Sequence, residues 1–299
     1  MKRYEGNLHI EKKLYPGRLI LPAAIVFGFF YIIPVILSFV LSFTDWNINR
    51  FYEPVWAGLS NFKFIFKDPK FLLSSKNTLI FALASASLKT ILGLILALAL
   101  NRKLKSKNIM RTVYYLPAVL SMVVVGIMMK SVFSVDGVFN QLLGSIGLSS
   151  LQKDWIMNKN TAMGVVIFAD VWRWTGFNMA IFLAGLQGID PEYYEAAKVD
   201  GASGWSMLKS ITLPLLMPSF TINIVFNVIG GLKVFDQVFV ITGGGPGYAT
   251  QVLSTYVFNN YSQGLLGRST AMSLLLFIVV YCTANLVNRY LKKKEVDVS

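Results

Sequence analysis

Six apolar runs, separated by polar segments, follow one another along the chain. A transmembrane helix needs about 20 consecutive apolar residues, because each residue adds about 1.5 Å and the hydrocarbon core is about 30 Å thick. The runs meet this length, and they cover residues 19–43, 78–100, 112–133, 162–186, 215–242 and 270–288. The pattern predicts an all-α integral membrane protein with six transmembrane helices.

Composition supports the same class of protein. Of the 299 residues 55% are hydrophobic and only 14% are charged, whereas about a quarter are charged in soluble domains. The first run is too long for a secretion signal and five further runs follow it, so we expect it to be a retained helix. We predict an amino-terminal segment at residues 1–18, a transmembrane domain at residues 19–291 and a basic tail at residues 292–299.

The distribution of Lys and Arg predicts the orientation. The two termini, residues 101–111 and residues 187–214 together hold more of these cations than the loops on the opposite side. Cationic loops stay in the cytoplasm, so both termini are expected there. The net charge of +13 lies beside the spans, where attraction to anionic membrane lipid explains it, and no basic stripe with interleaved aromatic residues indicates nucleic-acid binding.

A polar segment at residues 187–214 interrupts the apolar pattern. Asp190 can cap a helix that begins with Pro191, Gly201 can end it in the left-handed conformation, and Ser203 can cap a second helix. That second helix is expected to end before Pro214, because the residue ahead of a proline is disfavoured in helical geometry. The pattern predicts two short helices joined at a glycine.

The same segment carries a spaced signature. Glu195, Ala196 and Ala197 are followed at fixed intervals by Gly201 and by a run ending in Ile211, Leu213 and Pro214. This spacing resembles the EAA loop of permease subunits of bacterial ABC importers. The resemblance implies the type I ABC importer permease fold, in which the loop forms a coupling helix that docks into the ATPase subunit. It implies an ATPase-coupling role for Glu195, Ala196, Ala197 and Gly201. A loop helix without a partner is the alternative, and the complete spacing disfavours it.

Several ionisable residues lie inside the predicted spans, where burial of a charge is costly. Lys89 has no obvious partner in the sequence, and it can face either a structural partner or a substrate. Asp170 and Arg173 are three residues apart, as are Lys233 and Asp236, and each pair is predicted to neutralise itself on one helix face. Nearby Trp, Thr and Asn residues offer aromatic faces and hydrogen bonds that suit a neutral sugar, or polar groups that hold helices together.

A second motif narrows the resemblance. The stretch VFDQVFVITGGGPGYAT at residues 234–250, together with the EAA loop, is similar to first-type permeases of carbohydrate ABC importers over residues 19–291. The resemblance places sugar-contacting positions on two spans, and they correspond here to Trp174, Thr175, Asn178, Asn227, Gly230, Gly231 and Val234. The chain lacks the two leading spans and the large outer domain of the maltose permease. Glycines also replace an aromatic residue and an amide in the aligned pocket, so the sugar specificity does not carry over.

The resemblance implies a non-catalytic subunit of a bacterial cell-membrane importer that moves a sugar or oligosaccharide by alternating access. No ATP-binding motif is present in the sequence, and with His9 as its only histidine we expect no Ser-His-Asp set. The implied partners are a second permease subunit of the other type, an ATPase dimer that binds ATP and magnesium, and an external solute-binding protein.

Two alternatives stay open. An ABC permease for another solute, such as glycerol phosphate, needs an unpaired cation in its cavity. Only Lys89 is obviously unpaired in the sequence, which favours a neutral sugar. A membrane-embedded enzyme that uses one of the two charge pairs is the other alternative, although neighbouring opposite charges more often neutralise each other than catalyse a reaction.

Overall fold

The computed structural model describes residues 17–102 and 105–295 of the chain, and these residues are mostly helical. Most of the predicted amino-terminal segment and the end of the predicted tail lie outside the described residues. The helices are α1 Leu21–Leu41, α2 Ser60–Lys67, α3 Pro69–Leu100, α4 Lys107–Val119, α5 Met122–Phe133, α6 Val138–Ser145, α7 Ala162–Gln187, α8 Pro191–Val199, α9 Gly204–Leu215, α10 Met217–Leu232, α11 Asp236–Ile241, α12 Leu253–Ser262 and α13 Leu266–Lys292. Two short antiparallel strands, β1 Thr44–Asp45 and β2 Val55–Trp56, pair Thr44 with Trp56.

The described residues fall into two compact units. The first contains the chain through Ile65 together with Asn260–Leu274. Its α1 includes a π-helical turn at Gly28–Ile32 just ahead of Pro34, and it buries none of its residues. The strands are tied to α2 by the buried Asn61 side chain, which donates to the backbone carbonyls of Ser42 and Thr44.

The second unit contains Phe66–Asn259 and the residues from Leu275 onward. Its central helices are α3 and α7, which pack against each other, and α10 packs on α3 while α4 packs on α7. Asp68 caps α3 by accepting a hydrogen bond from the Lys70 amide at 2.9 Å, and Pro69 occupies the first helical turn. This cap explains why α3 begins nine residues before the apolar run predicted at residues 78–100.

Within the described residues, four helical stretches are long and apolar enough to cross a membrane: Leu21–Leu41, Pro69–Leu100, Met122–Ser145 and Leu266–Lys292. The stretches α9 and α10 meet at a bend of 64° and count as a fifth if they form one broken span. The remaining predicted span corresponds to α7, whose 26 residues suffice in length but include several polar side chains. Half of α7 is buried by neighbouring helices, so protein rather than lipid surrounds much of its surface.

Two predicted spans are interrupted. The third divides between α4 and α5, where Leu120 is extended and Ser121 caps α5 by accepting from the Val123 amide at 3.3 Å. The fifth bends at Leu216, continues as helix through Gly230 and Gly231, and breaks at residues 233–235. Glycine inside a helix usually weakens it, yet here the helix includes both glycines and the break follows them.

Candidate functional site

The polar segment at residues 187–214 has the local geometry that its sequence predicts. Asp190 caps α8 by accepting from the Glu192 amide at 3.0 Å. Gly201 adopts φ +74°, the left-handed conformation, and Ser203 caps α9 by accepting from the Ser206 amide at 3.2 Å. A residue with a Cβ pays about 1–2 kcal/mol in this conformation, which accounts for glycine at position 201. We call residues 190–205 the coupling loop.

The coupling loop presents an unusual number of exposed side chains. Glu195 and Ala196 are exposed and Ala197 is partly buried. Val199 is 88% exposed and Trp205 is 73% exposed, although both are large apolar residues. Large apolar side chains exposed on a polar loop can contribute to a surface that binds another protein. The geometry therefore suits a docking role for the four predicted coupling residues.

The second helix of the segment does not end before Pro214, contrary to the prediction. The chain widens into a π-helical turn at Leu208–Thr212 and continues as α-helix through Leu213–Leu215, with Pro214 at the start of that last piece. Pro214 is the second residue of this last piece, so the widened turn directly precedes the residue that lacks an N–H. The bend comes instead at Leu216, two residues before Pro218.

A cavity of about 330 Å³ lies among α3, α7, α10 and α11, all within the second unit. Its aromatic and apolar lining consists of Trp174, Phe226, Ile229, Gly230, Val234 and Phe235. Its charged and amide lining consists of Lys89, Asp170, Arg173, Lys233, Asp236 and Gln237. A concave site with aromatic faces and a few convergent polar groups is typical of small-molecule sites.

The charge pairs differ from those predicted by spacing. The Asp170 carboxylate binds Lys89 of α3, with 2.8 Å between Oδ2 and Nζ, and both side chains are about 95% buried. Gln237 of α11 donates to the other Asp170 oxygen at 2.8 Å. Asp170 is therefore paired across the interface of α3 and α7 and not with Arg173, since the packed helix brings Lys89 closer than the neighbour along α7.

Arg173 is left without a carboxylate partner among the described residues, for which Lys89–Asp170 is the one ion pair within 4.0 Å. Its guanidinium donates to the Leu120 carbonyl at 2.9 Å, and it lies 5.0 Å from the centre of the Trp174 ring. The Nε atom is buried and has no hydrogen-bond partner. Cation–π stacking holds the guanidinium at the cavity wall but leaves its charge uncompensated.

Lys233 and Asp236 also do not form the predicted pair. The helix breaks between them, because α10 ends at Leu232 and α11 begins at Asp236. The rule that residues three apart are neighbours holds only within a continuous helix. Both residues line the cavity as separate, exposed groups.

The seven predicted substrate-pathway residues separate into two sets. Trp174, Gly230 and Val234 line the cavity. The others face protein: Thr175 donates to the Val171 carbonyl, and Gly231 lies so close to α3 that a Cβ there would be 2.7 Å from Ala82 Cα. Asn178 and Asn227 are also buried in this second set.

Asn178 and Asn227 bind each other across α7 and α10. Asn227 Nδ2 donates to Asn178 Oδ1 at 2.6 Å and to Thr90 Oγ1 at 3.2 Å, while Asn178 Nδ2 donates to the Trp174 carbonyl at 2.9 Å. The two amides are 0% and 1% exposed. In this conformation they hold three helices together and do not reach the cavity.

Sequence reasoning missed Phe226 and Gln237 as cavity residues. The Phe226 ring lies 6.0 Å from that of Trp174 and 5.1 Å from that of Phe177, so the three form one aromatic cluster. Phe226 is one position before Asn227 along α10, and helical geometry places it on a different side of that helix. An aromatic residue in an apolar span gives no signal of its own, because it also suits contact with lipid.

Comparison with known proteins identifies relatives over most of the chain. A model of the family described as "Binding-protein-dependent transport system inner membrane component" matches residues 89–295. The trehalose/maltose transport system permease protein MalF of Thermococcus litoralis is 36% identical and aligns over 92% of this chain and 94% of its own length. The multiple sugar-binding transport system permease protein MsmF of Streptococcus mutans is 34% identical over 93% and 95% of the two chains.

A solved structure has the same fold. The bacterial alginate ABC transporter, in complex with a periplasmic protein that holds an alginate pentasaccharide, contains a chain that superimposes with a TM-score of 0.81. That chain is 26% identical, and the match covers 95% of each chain. The predicted all-α permease architecture of the type I importers is confirmed by this similarity together with the family match.

Proposed function

The chain belongs to the family of binding-protein-dependent transport system inner membrane components, and from that membership we propose that it conducts a sugar or oligosaccharide through the cavity beside Trp174. It is a membrane-embedded translocation subunit of an ABC importer and not an enzyme. The two relatives named for sugar transport align over 92% and 93% of this chain, and this supports a carbohydrate as the substrate.

The cavity is the observation that carries this proposal. Trp174 and Phe226 give it aromatic faces, on which the CH face of a sugar ring can pack, and the polar groups of α3 and α11 can bind hydroxyls. Gly230 carries no side chain, and no heavy atom lies within 4 Å of the place where a Cβ would be. The cavity wall is therefore open at this position. Of the seven predicted pathway residues, we propose that three contact the substrate: Trp174, Gly230 and Val234.

The coupling loop is proposed to transmit the ATP cycle. Glu195 and Ala196 are exposed, Ala197 is partly so, and the nearby Trp205 supplies an apolar anchor of the kind that dominates protein interfaces. An ATPase dimer that closes on ATP and magnesium would move this loop. Because α9 continues from the loop to the bend at Leu216, a displacement of the loop reaches α10 and the cavity.

The remaining subunits are proposed as a second permease of the other type, which completes the pathway, and an external binding protein that delivers the solute. The complex would lie in a bacterial cell membrane, with both termini of this chain in the cytoplasm. ATP would open the cavity to the outside, and hydrolysis would return it to the inside. A phosphorylated solute such as glycerol phosphate remains the second candidate, because Arg173 lines the cavity without a carboxylate partner.

Reconstitution of the complex in proteoliposomes tests this function. ATP hydrolysis and solute uptake are measured with the loaded binding protein and a panel of neutral, acidic and phosphorylated saccharides. We expect one class of saccharide to stimulate hydrolysis and to accumulate inside. An assembled complex that responds to no saccharide but imports a solute of another class would refute the sugar proposal.

Two glycine variants test the pathway within the same assay. Gly230→Leu places a side chain in the cavity and should reduce uptake strongly. Gly164→Leu is the matched control, since Gly164 of α7 also has no heavy atom within 4 Å of an added Cβ but does not line the cavity. Equal uptake by the two variants would place the pathway elsewhere.

A further inference from the structure

We propose, on the basis of the proposed sugar-import function, that the cavity binds a substrate carrying a negative charge, and that Arg173 is the residue that recognises it. The chemical class is an anionic group on a sugar, either the carboxylate of a sugar acid or a phosphate ester. This replaces the neutral sugar favoured by the sequence, because the charges pair differently from what their spacing predicts.

The cavity contains an excess of positive charge. Five ionisable side chains line it, and these are three cations and two carboxylates. Lys89 and Asp170 neutralise each other at 2.8 Å, and Lys233 can be balanced at longer range by Asp236 on the other side of the helix break. Arg173 accounts for the remaining charge, since the described residues place no carboxylate within 4.0 Å of it.

The position of Arg173 makes this excess costly. It is the twelfth residue of α7, so about 16 Å of helix separates it from the start of α7. A cation at such a depth in a membrane protein is normally paired, because the surroundings solvate a charge poorly. A bound anion would supply the missing partner, whereas a neutral sugar would leave the cation as it is.

The donors of Arg173 fit an anion as well. Arginine presents five N–H donors in a planar fork that matches a carboxylate or phosphate. One Nη donates to the Leu120 carbonyl at 2.9 Å, and this bond together with the Trp174 ring holds the guanidinium in place. The remaining Nη donors can bind the anion while the ring of the same sugar packs beside Trp174 and Phe226.

Paired ligands that differ only in charge give the direct test. The purified complex with its partner subunits is placed in nanodiscs without the binding protein, which removes the binding protein's own selection. Calorimetric titration then compares a panel of uronic-acid disaccharides with their methyl esters, and glycerol 3-phosphate with glycerol. We expect a charged member to bind roughly 10- to 100-fold more tightly than its neutral counterpart, because hydrogen bonds to a charged group are the strong ones.

Variants assign the effect to the residue. Arg173→Gln should remove the preference for the charged ligand, and Arg173→Lys should keep part of it. Lys130→Gln is the matched control, since it removes an exposed cation of α5 that does not line the cavity, and it should leave the preference unchanged. Recovery of each complex by size-exclusion chromatography shows that the variant assembles.

The outcomes separate the two proposals. If neutral sugars bind as tightly as their acids, or if Arg173→Gln keeps the charge preference, the anion site is refuted while sugar import stands. If only glycerol 3-phosphate binds and Arg173→Gln abolishes it, the anion site holds and the sugar proposal fails. An assembled complex that binds no member of the panel refutes both.

Discussion

The buried ion pair between Lys89 and Asp170 should make the stability of the second unit sensitive to the loss of either partner. The two groups are 2.8 Å apart, and their side chains are 5% and 4% exposed. Removing one partner of a buried pair leaves an uncompensated charge and costs about 3–5 kcal/mol. We therefore expect Lys89→Met and Asp170→Asn each to destabilise the protein by about this amount.

The double variant makes the prediction sharper. Lys89→Met combined with Asp170→Asn leaves no buried charge at this point, and the amide oxygen introduced at position 170 can still accept the hydrogen bond from Gln237. Its loss of stability should be smaller than the sum of the two single losses, with a coupling energy of at least about 2 kcal/mol. Lys130→Met, which removes an exposed lysine, is the control and should change little.

The measurement is the thermal unfolding of the detergent-solubilised protein. The fraction of protein that stays monodisperse after heating is recorded at each temperature. For domains of 150–250 residues each 1 kcal/mol lowers Tm by about 2–4 °C, so each single variant should lose roughly 6–20 °C. If the losses of the two single variants add within about 0.5 kcal/mol in the double variant, the residues do not act as a pair and the reasoning is wrong.

Three further predictions concern single positions. Gly201→Val should uncouple ATP hydrolysis from uptake, because φ +74° strains a β-branched residue. Gly201→Asn should remain largely coupled, since asparagine tolerates this conformation. Equal coupling in the two variants would show that the left-handed turn is not needed for coupling. Gly231→Ala should lower Tm, because its Cβ would lie 2.7 Å from the α3 backbone, while Gly230→Ala should not, and the reverse order would contradict the packing. Asn178→Ala and Asn227→Ala should each cost about 1–3 kcal/mol, because each removes a hydrogen-bond partner from the other buried amide. The double variant should cost less than the sum of the two in the same melts, and strict additivity would show that the amides are independent.

The coupling loop could be predicted in detail because its geometry depends on local rules. A cap at Asp190, a left-handed Gly201 and a second cap at Ser203 each involve contacts within four residues, and each is found as predicted. The prediction that the second helix ends before Pro214 was wrong. A π-helical turn precedes Pro214, and such a turn has no recognisable sequence signal.

The helices were predicted better than their interruptions. Each long apolar stretch overlaps a run predicted from hydropathy, because lipid and the protein core both select apolar side chains. The third run, predicted at residues 112–133, overlaps only the first half of the stretch found at Met122–Ser145. Hydropathy gave no indication that the third run divides at Leu120, or that the α10 helix continues through its two glycines. These breaks depend on which neighbouring helix packs at that depth, as the contact of Gly231 with α3 illustrates.

Polarity within a span does not by itself separate residues that line the cavity from residues that bind a neighbouring helix. Every polar group in a membrane helix needs a partner, so an amide such as Asn178 can equally face a ligand or another amide. The structure pairs it with Asn227, 49 residues away, and no local pattern encodes that distance. Unfilled space and unpaired charge instead support the pathway that we propose: Gly230 has no neighbour that a Cβ would meet, and Arg173 has no carboxylate within 4.0 Å among the described residues. Both are relations between helices, so the packed structure shows them and the sequence pattern does not.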